Sequence, residues 1–110
     1  MTSEEIDQAA EVLRAARLAT GVIDCIPKAV RPRDIQEAYA IQDRLVELLG
    51  WDVGGWYCAC TNVSVQKLLK LKEPYYARLF SRYILPEQAV LSAADYPPIV
   101  LECEFGFRLA

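Results

Sequence analysis

Across residues 1–50 apolar and polar positions alternate with a helical period. Ile6, Ala9, Ala10, Leu13 and Ala16 recur at intervals of three and four, which places them on one face of a helix. Thr2 and Glu5 stand at capping-box spacing before this run, with Glu4 and Glu5 early and Arg14 and Arg17 late, as the helix dipole favours. Gly21 is the expected stop. Pro27 and Pro32 cannot continue a helix, so residues 25–33 read as an extended connection. Asp34 with Glu37 is the second start signal. Ile35, Ala38, Ile41, Leu45, Leu48 and Leu49 then form an apolar stripe that Gly50 closes.

Beyond Asp52 the period shortens. Residues 53–60 predict a strand with a glycine bend at its start, Trp56, Cys58 and Cys60 sharing one face and Tyr57 and Ala59 the other. Thr61 or Asn62 caps a short third helix reaching Leu71, and Glu73-Pro74 stops it before an extended segment at 75–80. Residues 83–85 and 89–91, separated by Pro86, are weaker strand candidates. The cleanest alternation comes last. Ile99, Leu101, Cys103, Phe105, Phe107 and Leu109 interleave with Val100, Glu102, Glu104, Gly106 and Arg108, which predicts a strand with one apolar face. That pattern reaches to the residue before Ala110, so the strand is expected to find its partners in another chain or in a C-terminal continuation. A helical region, 1–50, and the start of a β-rich region, 51–110, are the expected divisions.

Composition narrows the chemistry. The chain has 110 residues, 54% of them hydrophobic, and a formal charge of −3, which suits one domain or part of a larger one. It shows no basic stripe, so no nucleic acid is expected as a partner. With no histidine at all, Ser-His-Asp and Cys-His pairs and His-ligated zinc are excluded, and any reaction must run on carboxylates, Lys, Tyr or Cys. No apolar run approaches the ~20 residues that cross a bilayer, so no membrane is expected either. Residues 1–10 are acidic and unlike a secretion signal, which makes a reduced, cytoplasmic setting the default. Cys58 and Cys60 form a C-x-C rather than the C-x-x-C of redox and zinc sites, and the four cysteines read as small buried apolar residues.

Glu102 and Glu104 project from the polar face of the last predicted strand, about 6.7 Å apart by the ~3.3 Å rise. Two such carboxylates can seat a hard cation, since Mg²⁺ or Mn²⁺ takes oxygen ligands and often uses only one or two from the protein. Their mutual repulsion, about 0.6 kcal/mol in water and about 2.5 kcal/mol at an effective dielectric near 20, is tolerable without one, so a solvated polar face is the plainer reading. Tyr57 lies on the strand face opposite Trp56, where a phenol could donate a hydrogen bond to an oxyanion or could simply pack against the sheet. Tyr75 and Tyr76 read as packing residues, and Lys67, Lys70 and Lys72 as a solvated helix face.

Several stretches together resemble the N-terminal portion of the 2-oxopent-4-enoate (2-keto-4-pentenoate) hydratase group of the fumarylacetoacetate hydrolase superfamily. They are Arg31-Pro32, Glu37-Ala38-Tyr39-Ala40-Ile41-Gln42, Gly55-Trp56, Cys60-Thr61-Asn62, Val65-Gln66, Glu73-Pro74-Tyr75, Arg78-Leu79-Phe80 and Leu101-Glu102-Cys103-Glu104-Phe105-Gly106-Phe107-Arg108-Leu109. The resemblance spans essentially the whole chain. It implies an α+β fold in which N-terminal helices precede a mixed β-sandwich or roll, here truncated. It also implies Mg²⁺ or Mn²⁺ held by the two glutamates of an E-x-E motif, matched by Glu102 and Glu104, and by a third acidic residue that would lie beyond Ala110. The cation would chelate a small 2-oxo acid and stabilise enol-type charge while protons move. Where the group commonly carries Gly-Trp-Lys this chain has Tyr57, and where an acidic residue often follows the later proline it has Tyr75. Ala59 and Ala77 stand where many members carry glycine, which marks a divergent subgroup.

The expected function is therefore the N-terminal part of a divalent-metal-dependent, 2-keto-4-pentenoate hydratase-like lyase of aromatic catabolism. Its metal ligands would be Glu102 and Glu104, with Tyr57 at the position of the family lysine. A related decarboxylase would share the enolising step. A homo-oligomer stays open. The alternative is a non-catalytic remnant or interaction module that pairs its strand edge with another subunit.

Overall fold

The computed structural model describes residues 1–96 and 100–109. Helix α1, Ser3–Leu18, begins as its sequence predicts: the Thr2 hydroxyl accepts the Glu5 N–H at 3.2 Å, and the Glu5 carboxylate accepts the Thr2 N–H at 2.7 Å. Its end differs by one residue from expectation. Thr20, not Gly21, takes the left-handed conformation, with φ 51°. The Gly21 N–H then reaches back to the Ala16 carbonyl at 2.8 Å and the Thr20 N–H to that of Arg17 at 3.3 Å, a Schellman closure. Helix α2, Ile35–Leu49, has Asp34 as its cap, accepting the Glu37 N–H at 2.9 Å, and ends in left-handed Gly50 with φ 62°.

These two helices pack on each other through Ala9 and Ala10, both fully buried, against Ile41 and Leu45. Small residues on α1 let the helix backbones approach, so that Ile41 fills the space between them. Burying one such side chain contributes about 1.5–3 kcal/mol. The linking segment is not extended throughout: a single 3₁₀ turn, Lys28–Val30, drops Val30 into the same core. Polar contacts fasten the pair, with Arg44 on Asp7 at 2.6 Å and the Met1 ammonium on Glu37 at 2.6 Å. Glu37 is also gripped by Arg33, and these hydrogen bonds, Arg33's first, hold its carboxyl well below the usual carboxylate range.

Strand β1, Val53–Ala59, pairs antiparallel with β2, Tyr75–Phe80, placing Trp56 opposite Arg78, Tyr57 opposite Ala77, Cys58 opposite Tyr76 and Ala59 opposite Tyr75. The ladder is irregular between Val53 and Gly55. Gly54 lies so close to the chain that follows β2 that a Cβ there would meet Ile84 Cδ1 at 2.7 Å and Ser81 Cα at 3.0 Å. Helix α3, Val63–Leu69, joins the strands, capped by Asn62 accepting the Ser64 N–H at 2.7 Å. The sheet leans on α2 through Tyr39, whose ring stacks on Tyr76 at 4.2 Å, and through an Arg78–Asp43 ion pair. Among the described residues the architecture is thus mixed α/β, with three α-helices and one two-stranded antiparallel sheet.

Three predicted strands are corrected. Residues 83–85 and 89–91 are not strands: Ser81–Tyr83 is a 3₁₀ turn, and the chain from Ile84 to the 3₁₀ turn Ala93–Asp95 is irregular. Residues 100–109 carry the alternation of a strand without forming one, and Ile99 of the same pattern lies outside the described residues. The reason is physical. A strand is stable only when its backbone groups are paired and one face is covered, and among the described residues no backbone hydrogen bond joins 100–109 to a neighbour. Among the described residues no helix is long and apolar enough to cross a membrane.

Candidate functional site

Tyr57, Ala59, Tyr75 and Ala77 share one face of the sheet, because β1 and β2 present alternate side chains to each side and the register sets Tyr57 against Ala77 and Ala59 against Tyr75. The two alanines make a low floor flanked by two phenols. Ala59 is buried and Tyr57 half-buried. Residues 100–109 reach this face at one defined point: the Tyr57 hydroxyl donates to Glu102 Oε2 at 3.0 Å. At the end of β1, Cys60 turns the chain with φ 57°, and its carbonyl accepts Gln66 Nε2 at 2.7 Å.

The electrostatics of the cluster follow from that contact. The Glu102 carboxylate accepting its proton pushes the Tyr57 phenol up to about 12, with burial and the negative charges of Glu102 and Glu104 adding to the shift. Tyr75 is raised as well, by burial first and then by the neighbouring Cys60 thiol. Both phenols are therefore neutral donors near pH 7, and neither is an ionised base. The carboxylates provide only oxygen acceptors, a donor set suited to a small hard cation such as Mg²⁺ or Mn²⁺. Among the described residues no group of three or more His, Cys, Asp or Glu side chains converges.

Of the residues singled out in the sequence, Tyr57 and Glu102 are brought together, and Glu104 follows on the same irregular segment. Trp56 is turned to the opposite face, where Arg78 lies 5.0 Å over its ring and Tyr76 meets it edge-on at 5.4 Å. The cysteines are not the buried residues expected: Cys25, Cys58 and Cys103 are exposed and Cys60 is half-buried. Sequence reasoning also missed an apolar cleft of about 850 Å³ between the end of α1 and residues 83–96. Leu13, Ala16, Leu45, Leu85 and Leu91 line it with Arg17 at the side, and it shares no residue with the Tyr57 cluster. Its one sequence signal was the apolar content of the two segments read there as strands.

Comparison with protein-family models, with curated proteins and with solved structures finds no match for this chain.

Proposed function

We propose that this chain is the N-terminal part of a divalent-metal-dependent lyase of the 2-keto-4-pentenoate hydratase kind, acting on small 2-oxo or 2-hydroxydienoic acids. The observation that carries the reading is the 3.0 Å hydrogen bond from Tyr57 to Glu102. It joins two residues 45 positions apart that the sequence resemblance assigns to one site. Glu102 and Glu104 would hold Mg²⁺ or Mn²⁺, which supplies Lewis-acid polarisation of a 2-oxo group and neutralises enol charge.

The chain's own residues do the rest. Tyr57 keeps its proton at neutral pH and acts as a hydrogen-bond donor, not as a base. Tyr75, on the same face, offers a second phenolic O–H to an acceptor oxygen of a bound acid. The Ala59 and Ala77 floor leaves the space between the two rings to the ligand. The test is Mn²⁺ binding by the chain, followed through the loss of the free-ion electron paramagnetic resonance signal. Glu102→Gln and Glu104→Gln should each weaken binding roughly tenfold or more, and an unchanged affinity in both variants rejects the reading.

One observation favours a second reading. Leu101 is 91% exposed, Phe105 96% and Phe107 88%, apolar side chains bare to solvent on the segment that carries the Tyr57 contact. An interaction module that pairs this segment with another subunit would cover them. That reading requires a concentration-dependent oligomer with no metal-linked rise in melting temperature.

A further inference from the structure

The two edges of the β1–β2 sheet are not equivalent. On β2 the Tyr76 and Arg78 N–H groups turn outward, to the Tyr39 hydroxyl at 3.3 Å and the Gln42 carboxamide at 2.9 Å, so that edge is engaged by α2. The residues paired with them, Cys58 and Trp56, therefore turn their own N–H and C=O groups away from β2. Among the described residues no backbone group outside the ladder bonds to either, which leaves β1 an open edge. The same chain carries a segment patterned to fill it. Residues 101–109 alternate apolar and polar side chains, and Leu101, Phe105, Phe107 and Leu109 are bare to solvent. Its own copy of the segment touches Tyr57 through Glu102 yet forms no ladder with β1.

Parity fixes how such a strand would lie. With Glu102 on the Tyr57 side of the sheet, Leu101, Cys103, Phe105 and Phe107 fall on the other side, where Trp56 is 58% exposed. We infer that residues 101–109 of one copy add to the Trp56–Cys58 edge of a second copy, reciprocally, to give a strand-exchanged homodimer. This rests on the interaction reading above and names its partner. Both halves of the contact belong to one chain, so two copies related by a two-fold axis satisfy each other, and the partner's Glu102 can replace the chain's own on Tyr57. The area suits a stable pair. Four phenylalanine rings, two from each copy, cover about 600–1,000 Å², and the leucines with Trp56 bring the interface toward the roughly 1,200–2,000 Å² of specific complexes.

The first readout is amide hydrogen exchange in the wild-type chain across a dilution series that sedimentation velocity resolves into single and paired copies. The Trp56 and Cys58 N–H groups should exchange about tenfold or more slowly in the paired state. Phe105→Lys changes a side chain already bare in the single copy, so it should leave the melting temperature in place and weaken pairing roughly tenfold or more. Cys58→Pro removes a donor from the open edge without touching the β2 ladder and should weaken pairing likewise. Mixed together, the two variants should pair again, since one brings an intact segment and the other an intact edge. A wild-type chain that stays single at every concentration overturns the interaction reading and this inference together. Pairing that Phe105→Lys weakens, with Trp56 and Cys58 exchanging at one rate in both states, keeps the interaction reading and overturns the edge assignment. Slow exchange of both amides in the single copy means that the segment closes on its own β1, and overturns the exchange.

Discussion

Gln42 on α2 accepts the backbone N–H of Arg78 on β2 at 2.9 Å. The same carboxamide donates to the Tyr76 carbonyl at 3.2 Å. Carbonyl and N–H two residues apart are the pair that a neighbouring strand would engage along an edge, so one side-chain amide supplies the peptide unit of an absent third strand. Together with the Tyr39 hydroxyl, which accepts the Tyr76 N–H at 3.3 Å, it closes much of the outer edge of β2 and ties the sheet to the helical pair.

Gln42→Ala should therefore cost more than its surface position suggests. It leaves the part-buried Arg78 N–H and the Tyr76 carbonyl without their partner, a loss on the order of 1–3 kcal/mol. Urea denaturation of the variant should show a lower midpoint with the slope retained. A change within the scatter of ordinary surface substitutions would mean that water replaces the amide without penalty.

Thr20 should be improved by glycine. A β-branched residue at φ 51° is held in a conformation that disfavours a Cβ, and the Schellman closure of α1 requires that conformation. Thr20→Gly is expected to gain up to about 1 kcal/mol, the relief being partly offset by the greater freedom of glycine in the unfolded chain. Thermal unfolding followed by circular dichroism would read this as a rise of a few degrees, whereas Gly50→Ala, at φ 62°, should move the other way.

The Tyr57 phenol makes a pH signature. Its pKa in the folded chain, about 12, lies above the ordinary value of 10.0, so the Tyr57–Glu102 contact stabilises the fold fully below pH 10 and its contribution disappears as pH rises through 12. Ultraviolet titration of the phenolates should show a late-ionising component that includes Tyr57, with Tyr75 raised as well. In Glu102→Gln, which removes the charged acceptor, the Tyr57 part of that component should move down toward the ordinary value of 10.0. A titration curve identical in the two proteins would dissociate Tyr57 from Glu102.

The helical pair was legible because its signals are local. Thr2 with Glu5, Asp34 with Glu37, and Gly50 at a chain reversal each act within a few residues. The end of α1 was misplaced by one position because glycine is the usual left-handed residue, while here the chain places Gly21 just after it and imposes the turn on Thr20. Strand β1 and the extended run that forms β2 were legible in outline from their apolar and aromatic content, whereas their antiparallel pairing was not. Residues 100–109 show where periodicity stops being sufficient: alternation prepares a strand, but only a neighbour makes one. The Tyr57–Glu102 bond depends on how a distant segment crosses the sheet, and the double use of Gln42 depends on where α2 comes to rest. Neither arrangement is written in the residues' own spacing.

The one-sided pairing of β1 also has a consequence for the protein's life in concentrated solution. Among the described residues β1 has a strand partner only in β2, and residues 100–109 leave Leu101, Phe105 and Phe107 bare. An unpaired ladder edge and a segment already patterned to pair with one are complementary halves that two copies can exchange without unfolding. With a formal charge of only −3, long-range repulsion between copies is weak. If copies pair in this way, crowding rather than loss of the folded core would set the concentration at which single chains persist.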